Sequence, residues 1–488
     1  MLRRTYRFVL LLALMIVSAA LIQTMFPGKA TASAEFETVM IGDTKILIRE
    51  SDEYSGEASV FAVMLAGQGH QEPDETHCAH VAEHMAFRNP TLDGVALGGW
   101  VSGLGTGGGI QMMYNGWTGP DHTQFEMTIP GEHLPEALTR LVAGLFPDAI
   151  DAAAYSAEIK TRLVPELRHM TTDPLSAPLN AFNVQFYRST VYSEPRFDVW
   201  VGQVKPDNVL TYMKREYSSS RLIITLVGDF DKEAALNAIS DAVNEVPSEP
   251  GPVVPEVRLD PPPITSFKCE KRKNAMCMLG VGVDSIDDED LPFVSTILRI
   301  ALVRLRSQPL DGFSVSESML GFIQTAASQG LMISYEATRK IGQSEIQAQA
   351  EVLSPAAKAV FSSLANEGPA HEEVAELLAW SSEEGAEPEM PGRVPRTLFE
   401  AWWRGIREIP GQEVHFIQVP TEGMSEEELT AVLMDTASRY EGRLQFMAMT
   451  VEPGSVFSPL LAIGGALAVL AVAGFLVWRR RGARAREV

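Results

Sequence analysis

The fold and the chemistry of this chain are decided by the stretch His77-Cys-Ala-His-Val-Ala-Glu-His84, whose last five residues have the pattern H-x-x-E-H. In a helix, His80 and His84 are four residues apart and project from one face. Two imidazoles in this arrangement can hold one Zn²⁺ per chain, and the Glu83 carboxylate beside them can take a proton from a zinc-bound water. This order inverts the H-E-x-x-H zinc motif. The stretch therefore predicts a zinc centre with a general base.

The N-terminus has the layout of a secretory signal peptide. Arginines at positions 3, 4 and 7 precede an apolar run at 8–22, and Ala32-Ser33-Ala34 forms an A-x-A cleavage site. Residues 1–34 are therefore predicted to be a signal peptide that is removed on export. An uncleaved signal anchor is the alternative, because the apolar run is somewhat long.

The C-terminus predicts a membrane anchor. No charged residue occurs from 459 to 478, and about 20 helical residues are enough to span a bilayer core. A basic tail at 479–488 follows at once, and by the positive-inside rule this tail stays in the cytoplasm. We therefore predict a single transmembrane helix at 457–478 in the cell membrane, with the bulk of the chain on the periplasmic or extracellular side. A sorting signal that is cleaved after export is the alternative.

The net charge restricts the partners of the exported body. The chain carries −23, and each of its two ends contributes +4, which leaves −31 for residues 35–456. A body of this charge repels nucleic acid and anionic headgroups, so nucleic-acid binding is excluded as a function. The same charge favours basic substrates.

The exported body divides into two α+β domains. Six prolines within 248–263 prevent a helix or a central strand from running through this segment, which is therefore predicted to be an extended linker. The domains on either side, 35–247 and 264–452, are similar in length. Strand and helix patterns alternate in both, with a strand pattern at 38–49 and a helix pattern at 152–168 among them.

The cysteines allow two interpretations. Cys269 and Cys277 flank a short polar segment between alternating apolar residues, a pattern typical of a β-hairpin. Facing each other, they would form a disulfide in an oxidising compartment, and two half-buried thiols are the alternative.

Several stretches in order resemble one family. The stretches are His80-Val-Ala-Glu-His-Met-Ala-Phe87, Asn115-Gly-Trp-Thr-Gly-Pro-Asp-His-Thr-Gln-Phe125, and the residues at 129–130, 134–138, 163–167, 217 and 226–230. Together they resemble the N-terminal domain of the pitrilysin/insulinase family of inverted-motif zinc peptidases. Within it they are closest to the processing-peptidase-like members. The resemblance covers most of 37–245 and is weaker in 264–452, which is similar to the family's second domain without a metal motif.

The resemblance implies a fold and a set of roles. The fold would be two similar α+β sandwich-type domains that form a clamp around an extended peptide. His80 and His84 would be zinc ligands, Glu83 would be the general base, and a glutamate on a later helix would be the third ligand. His77, three residues before His80, is a competing ligand that the family pattern does not use.

The third ligand is where this sequence departs from the family. The family places two glutamates seven residues apart and uses the second as the ligand, whereas Glu158 and Glu166 are eight apart, with Pro165 between them. Glu166 has the apolar surroundings of the family's ligand, so we predict that it binds zinc and that Glu158 supports the site. The two roles are open to reversal, because Pro165 would kink the helix.

The resemblance also implies a substrate and a function. Asn115 and Thr118 lie on a strand similar to the family's edge strand, where a peptide adds by backbone hydrogen bonds. The predicted function is an exported, membrane-tethered zinc metalloendopeptidase for extended peptides or unfolded proteins. The alternative is a non-catalytic or partner-dependent peptide-binding subunit of a heteromeric peptidase, paired as a homodimer or heterodimer. An envelope scaffold is a third, weaker idea.

Overall fold

The structure is a computed structural model that describes the central part of the chain. The described residues are 36–91, 93–105, 112–188, 190–193, 201–244, 246–248, 257–287, 289–308, 310–316, 321–325, 327–382, 394–410 and 424–453. The predicted signal peptide, transmembrane helix and basic tail, and residues 249–256 of the predicted linker, lie outside this range. No helix within the described part is long and apolar enough to cross a membrane.

The first half of the described chain forms a six-stranded mixed sheet with the order β1-β2-β6-β3-β5-β4. The strands are β1 (Glu37–Ile41), β2 (Thr44–Glu50), β3 (Glu57–Met64), β4 (Met113–Thr118), β5 (Thr123–Pro130) and β6 (Leu222–Gly228). Only β2 and β6 run parallel to each other. The strand predicted at 38–49 is two strands, because the chain turns back at Gly42, whose φ of +58° suits glycine. β4 lies at one edge of the sheet.

Helices cover one face of this sheet and connect its strands. They are α1 (Cys78–Arg88), α2 (Leu97–Gly103), α3 (Leu134–Leu145), α4 (Ala152–Glu158), α5 (Val164–Thr172), α7 (Pro206–Glu216) and α8 (Lys232–Val243). Helix α6 (Ser176–Phe186) follows α5 in the chain and packs outside this core. Alternate side chains of β3, including Val60 and Ala62, pack with Val81 and Met85 of α1 in one buried core. This core fixes α1 against the sheet, so the motif helix has a defined orientation.

The second half repeats the architecture with a sheet of order β10-β11-β8-β12-β7, to which β9 adds by pairing with β11. The strands are β7 (Ile264–Cys269), β8 (Met276–Asp284), β9 (Phe313–Val315), β10 (Gly321–Thr325), β11 (Ser328–Ala337) and β12 (Gln445–Pro453). The helices are α9 (Leu291–Arg306), α10 (Gln343–Glu367), α11 (His371–Ser382), α12 (Arg396–Gly405) and α13 (Glu426–Glu441). The α+β prediction is confirmed by these two sheets and their helices.

The predicted hairpin at the two cysteines is wrong. β7 and β8 are not neighbours, because β12 lies between them and pairs with both. Cys277 faces the helices of the second half, and Cys269 faces the core that includes α6. Both are free thiols on opposite faces of the sheet. A disulfide between them is therefore excluded in this fold, because its two sulfur atoms must be in direct contact.

Each sheet receives a helix from the other half on its second face. Helix α12 packs Ala401 against Phe61 and Val63 of β3. Helix α6 packs Phe182 and Phe186 against the methionine-rich face of the second sheet. The two halves are thus joined by an exchange of helices.

Glycines in β8 make room for this exchange. The rings of Phe182 and Phe186 stack at a centroid distance of 5.8 Å. A Cβ added to Gly280 would lie 2.4 Å from Phe182 Cζ, and one added to Gly282 would lie 2.8 Å from Phe186 Cζ. Both distances are well inside van der Waals contact, so a side chain at either position would push the phenyl rings away from the sheet.

We expect Gly280→Ala to lower the free energy of unfolding by about 1–3 kcal/mol, because overpacking at a filled site forces the rings and the strand apart. Urea unfolding monitored by circular dichroism measures the change. Gly442→Ala is the matched control, since a Cβ there has no neighbour within 4 Å and should change stability by less than about 0.5 kcal/mol. Equal stabilities of the two variants would contradict the packing argument.

Candidate metal centre

Helix α1 presents two histidines beside the sheet. The predicted helix at this motif is confirmed, and it begins after His77, whose φ of +71° is left-handed. Val81, Ala82 and Met85 are buried in the core, which leaves His80 and His84 on the other side of the helix. Their ring centroids are 5.0 Å apart. Each side chain is about one-eighth exposed, at 12% and 13%. They are therefore partly shielded but reachable by a small ion.

Glu166 completes a three-donor group with these rings. His80 Nε2 lies 3.6 Å from Glu166 Oε1, and His84 Nε2 lies 3.5 Å from Glu166 Oε2. Tetrahedral zinc with bonds of about 2.0–2.1 Å separates its ligand atoms by about 3.3–3.4 Å. Two imidazole nitrogens and a carboxylate oxygen are also the donor set of open, catalytic zinc sites. The residues present therefore fit Zn²⁺.

Among the described residues, these three are the group of histidine, cysteine and acidic side chains whose donor atoms lie within 4.8 Å of one another. His77, the competing ligand considered from the sequence, is not part of it. His77 is buried at the start of α1, where the left-handed backbone takes it out of the helical register of His80 and His84.

A π-helical turn brings the two glutamates onto one face. Residues Ile159–Leu163 form this turn between α4 and α5, and Val164 N–H donates to Ile159 O, five residues back. Seven residues of α-helix make almost two full turns, whereas eight residues exceed two turns by about a fifth of a turn. A π turn absorbs one extra residue and so corrects the overshoot. Glu158 and Glu166 therefore both point inward, although they are eight residues apart.

Pro165 lies just after the π turn, in the first turn of α5. Proline has no N–H to donate, so it is tolerated where the regular hydrogen-bond ladder is already interrupted. The kink that the sequence predicted is replaced by this irregular turn.

Glu158 lies behind His84 and does not join the three donors. Its Oε1 is 2.8 Å from His84 Nδ1, and its Oε2 is 3.4 Å from Arg88 Nε. A carboxylate on Nδ1 fixes the ring and leaves Nε2 directed at the metal position. Burial lowers the pKa of His84, but the hydrogen bonds with Glu158 and Glu166 outweigh burial and raise this pKa to about 10. The pocket thus strongly favours positive charge.

Glu83 lies next to the three donors and is only 6% exposed. Thr118 Oγ1 donates to Glu83 Oε2 at 2.8 Å, which leaves Oε1 without this restraint. Burial raises the pKa of Glu83, and the neighbouring Glu166 carboxylate adds to the rise against the opposing effect of His84 and His80. A carboxylate with a raised pKa accepts a proton more readily at neutral pH.

Gly116 was not singled out from the sequence, yet it shapes the position of Glu83. A Cβ at Gly116 would lie 2.5 Å from Glu83 Oε1 and 2.8 Å from Glu83 Cγ. The carboxylate can therefore lie against β4 only because this position has no side chain. The one available signal was a glycine within a strand pattern, which often marks close approach of another group.

Asn115, predicted to bind substrate, is on the opposite side of β4 from Gly116 and Thr118. Side chains alternate along a strand, and Asn115 pairs with Glu126 of β5. Burial raises the pKa of Glu126 to about 7, against a hydrogen bond with Asn115 that lowers it. The structure thus brings Thr118 to Glu83 but directs the Asn115 side chain away from it.

One sequence family matches part of the chain. Residues 203–301 match the family described as Peptidase M16 inactive domain. This segment runs from the region before α7 into α9, and it contains none of the residues of the candidate metal centre. The family's description favours a non-catalytic subunit over an active peptidase. No curated protein sequence matches the chain.

Solved structures share the fold. A protease from Helicobacter pylori is 13% identical, with a TM-score of 0.61 over 86% of this chain and 99% of that one. A peptidase M16 inactive domain from Pseudomonas fluorescens is 15% identical, with a TM-score of 0.61 over 86% and 98%. The first half of the periplasmic protease PqqL from Escherichia coli is 15% identical, with a TM-score of 0.59 over 87% and 93%. The chain therefore has the fold of M16 proteins.

Proposed function

We propose that this protein is a zinc-dependent endopeptidase that hydrolyses extended peptides or unfolded proteins. The observation that carries the proposal is the grouping of His80, His84 and Glu166 within 4.8 Å, with the buried Glu83 carboxylate beside them. A structural zinc site would need four protein ligands and no base, whereas three ligands beside a carboxylate suit hydrolysis. Its subgroup would be the processing-peptidase-like one.

The roles of the side chains follow from their positions. His80, His84 and Glu166 would hold Zn²⁺, and Glu158 orients His84 through Nδ1. When bound, Zn²⁺ supplies Lewis-acid activation of water and of the scissile carbonyl. Thr118 holds one oxygen of Glu83, so the other accepts the proton of the attacking water and passes it to the leaving amine.

The edge strand provides a place for the substrate. β4 pairs with β5, and no other described strand pairs with its outer edge. An extended peptide can add there by backbone hydrogen bonds, a mode that tolerates many sequences. Because Gly116 and Thr118 of β4 touch Glu83, a peptide on this edge would run past the base.

The proposed setting is the outer side of the cell membrane, with a single C-terminal helix as the tether. The support for this part is the sequence of the two ends alone.

One observation favours a second function. The match of residues 203–301 to an inactive-domain family supports a non-catalytic or partner-dependent peptide-binding subunit. The likeness to the first half of PqqL adds to this, because a second half of a clamp would then come from another copy or a related chain.

Incubation of the purified full-length protein with an unfolded protein and mass spectrometry of the products tests the proposal. New termini that appear without any added chain support an endopeptidase. If the protein binds the unfolded chain without cleaving it, the second function is the correct one.

Gly116→Ala provides a graded test of the site. The added methyl group should displace the Glu83 carboxylate by about 1 Å, and misplacement of this size costs about 10²-fold in rate. We expect kcat to fall by about this factor while bound zinc stays at the wild-type level. Gly103→Ala is the control, since a Cβ there meets nothing within 4 Å. Wild-type kcat in Gly116→Ala would show that the carboxylate position is not critical.

A further inference from the structure

The helical run 152–172 carries opposite charges on its two sides. Its inner side bears Glu158 and Glu166, which face the histidines. Its outer side bears two exposed cations, Lys160 and Arg168. Eight residues separate Lys160 from Arg168, which corresponds to about 12 Å along a helix.

The turn between β7 and β8 extends this positive surface. Lys271 Nζ donates to Thr172 Oγ1 at 2.9 Å, so the turn touches the end of α5. Arg272 is buried and donates to Pro174 O at 2.7 Å, which anchors the turn, and Lys273 is exposed beyond it. We call the four exposed cations the basic strip: Lys160, Arg168, Lys271 and Lys273.

None of the four cations of the basic strip forms an ion pair with a carboxylate within the described part of the chain. Other cations nearby do pair with carboxylates, such as Arg88 with Glu158 and Arg272 with Glu336. The chain has 63 acidic and 40 basic residues, so carboxylates are in excess. Like charges along this strip repel one another, and no carboxylate forms an ion pair with any of them. A partner that brings carboxylates would relieve it.

We propose that the basic strip binds an acidic segment of the polypeptide substrate, beside the segment that is cleaved. This inference rests on the proposed function and names a substrate class for it. The strip and the metal centre are on opposite sides of one helix, which is about 10–12 Å across with its side chains. A path around half of this helix is about 16–19 Å, which five to six residues of extended chain at about 3.3 Å each cover.

The negative charge of the remaining surface adds to the preference of an acidic segment for the basic strip. The net charge of −23 repels an acidic segment elsewhere, so the strip would be the favourable place for it. The net charge alone predicted a preference for basic substrates. The positive charge of the basic strip instead favours an acidic segment beside the one that is cleaved. A membrane surface is the competing partner, but the closeness of the strip to the proposed catalytic centre favours the substrate.

Fluorescence anisotropy with the full-length Glu83→Gln protein tests the strip without cleavage. Each probe is a labelled peptide with a neutral core of eight residues. A tail of four glutamates, four glutamines or four lysines is added at one end or the other. At low salt we expect the glutamate tail to bind about threefold to tenfold more tightly than the glutamine tail. Arg168→Gln/Lys271→Gln should remove this difference, as should 0.5 M salt. Lys214→Gln/Lys340→Gln removes two exposed cations elsewhere and should keep it.

The outcomes separate the two proposals. If the glutamine-tailed peptide binds and the glutamate tail adds nothing, the strip proposal is overturned and peptide binding stands. If no peptide binds in any form, the proposed function itself fails. Binding of phosphatidylglycerol vesicles that requires Arg168 and Lys271, without any preference among the peptides, would overturn the strip proposal in favour of a membrane surface.

Discussion

Glu83→Gln is expected to lower peptide cleavage by about 10²–10⁴-fold, the usual contribution of a general base. The amide oxygen can still accept the hydrogen bond that Thr118 Oγ1 donates, so the local structure should be kept. The amide cannot accept the proton from water, which removes the base without removing the side chain. Cleavage rates of a quenched fluorescent peptide, together with bound zinc by elemental analysis, measure both effects.

Glu132→Gln is the matched control, because the Glu132 side chain is 81% exposed and is not part of the metal centre. It should cleave at the wild-type rate. Wild-type cleavage by Glu83→Gln would show that another group takes the proton. Loss of zinc in Glu83→Gln would mean that the substitution disturbs the metal ligands instead of the chemistry.

Glu166→Gln and Glu158→Gln are expected to differ in zinc affinity. Glu166 lies 3.5–3.6 Å from both Nε2 atoms, in the position of a ligand, so replacing its charge should weaken zinc binding by more than about 10²-fold. Glu158 touches only the rear nitrogen of His84, and loss of such a supporting partner costs about 10–100-fold. Competition with a chromophoric chelator measures both dissociation constants. The reverse order of the two effects would assign the third ligand to Glu158.

Local signals in the sequence predicted much of the centre. The helix at His80 and His84 follows from a spacing of four, and the structure has it at the expected residues. The placement of Glu166 was predicted from its apolar neighbours, but the way it reaches the site was not. Seven-residue spacing and eight-residue spacing differ by one hydrogen-bond register, and Pro165 was the only hint of an irregular turn.

Local sequence patterns did not predict the features of the fold that depend on contacts between distant parts of the chain. Cys269 and Cys277 have the alternation of a hairpin, yet β12, more than 160 residues later, inserts between their strands. The exchange of α6 and α12 between the halves likewise depends on tertiary packing, since an amphipathic pattern identifies a buried face but not the surface that buries it. Gly116 matters only because Glu83 comes to lie against it.

Zinc titration of the metal-free full-length protein, with peptide cleavage recorded at each step, tests the central claim most directly. If His80, His84 and Glu166 hold a catalytic ion, cleavage should rise in proportion to added zinc and level off at one ion per chain. A protein that binds one zinc ion per chain and cleaves nothing at any point would contradict the claim, and it would identify the chain as a binding subunit.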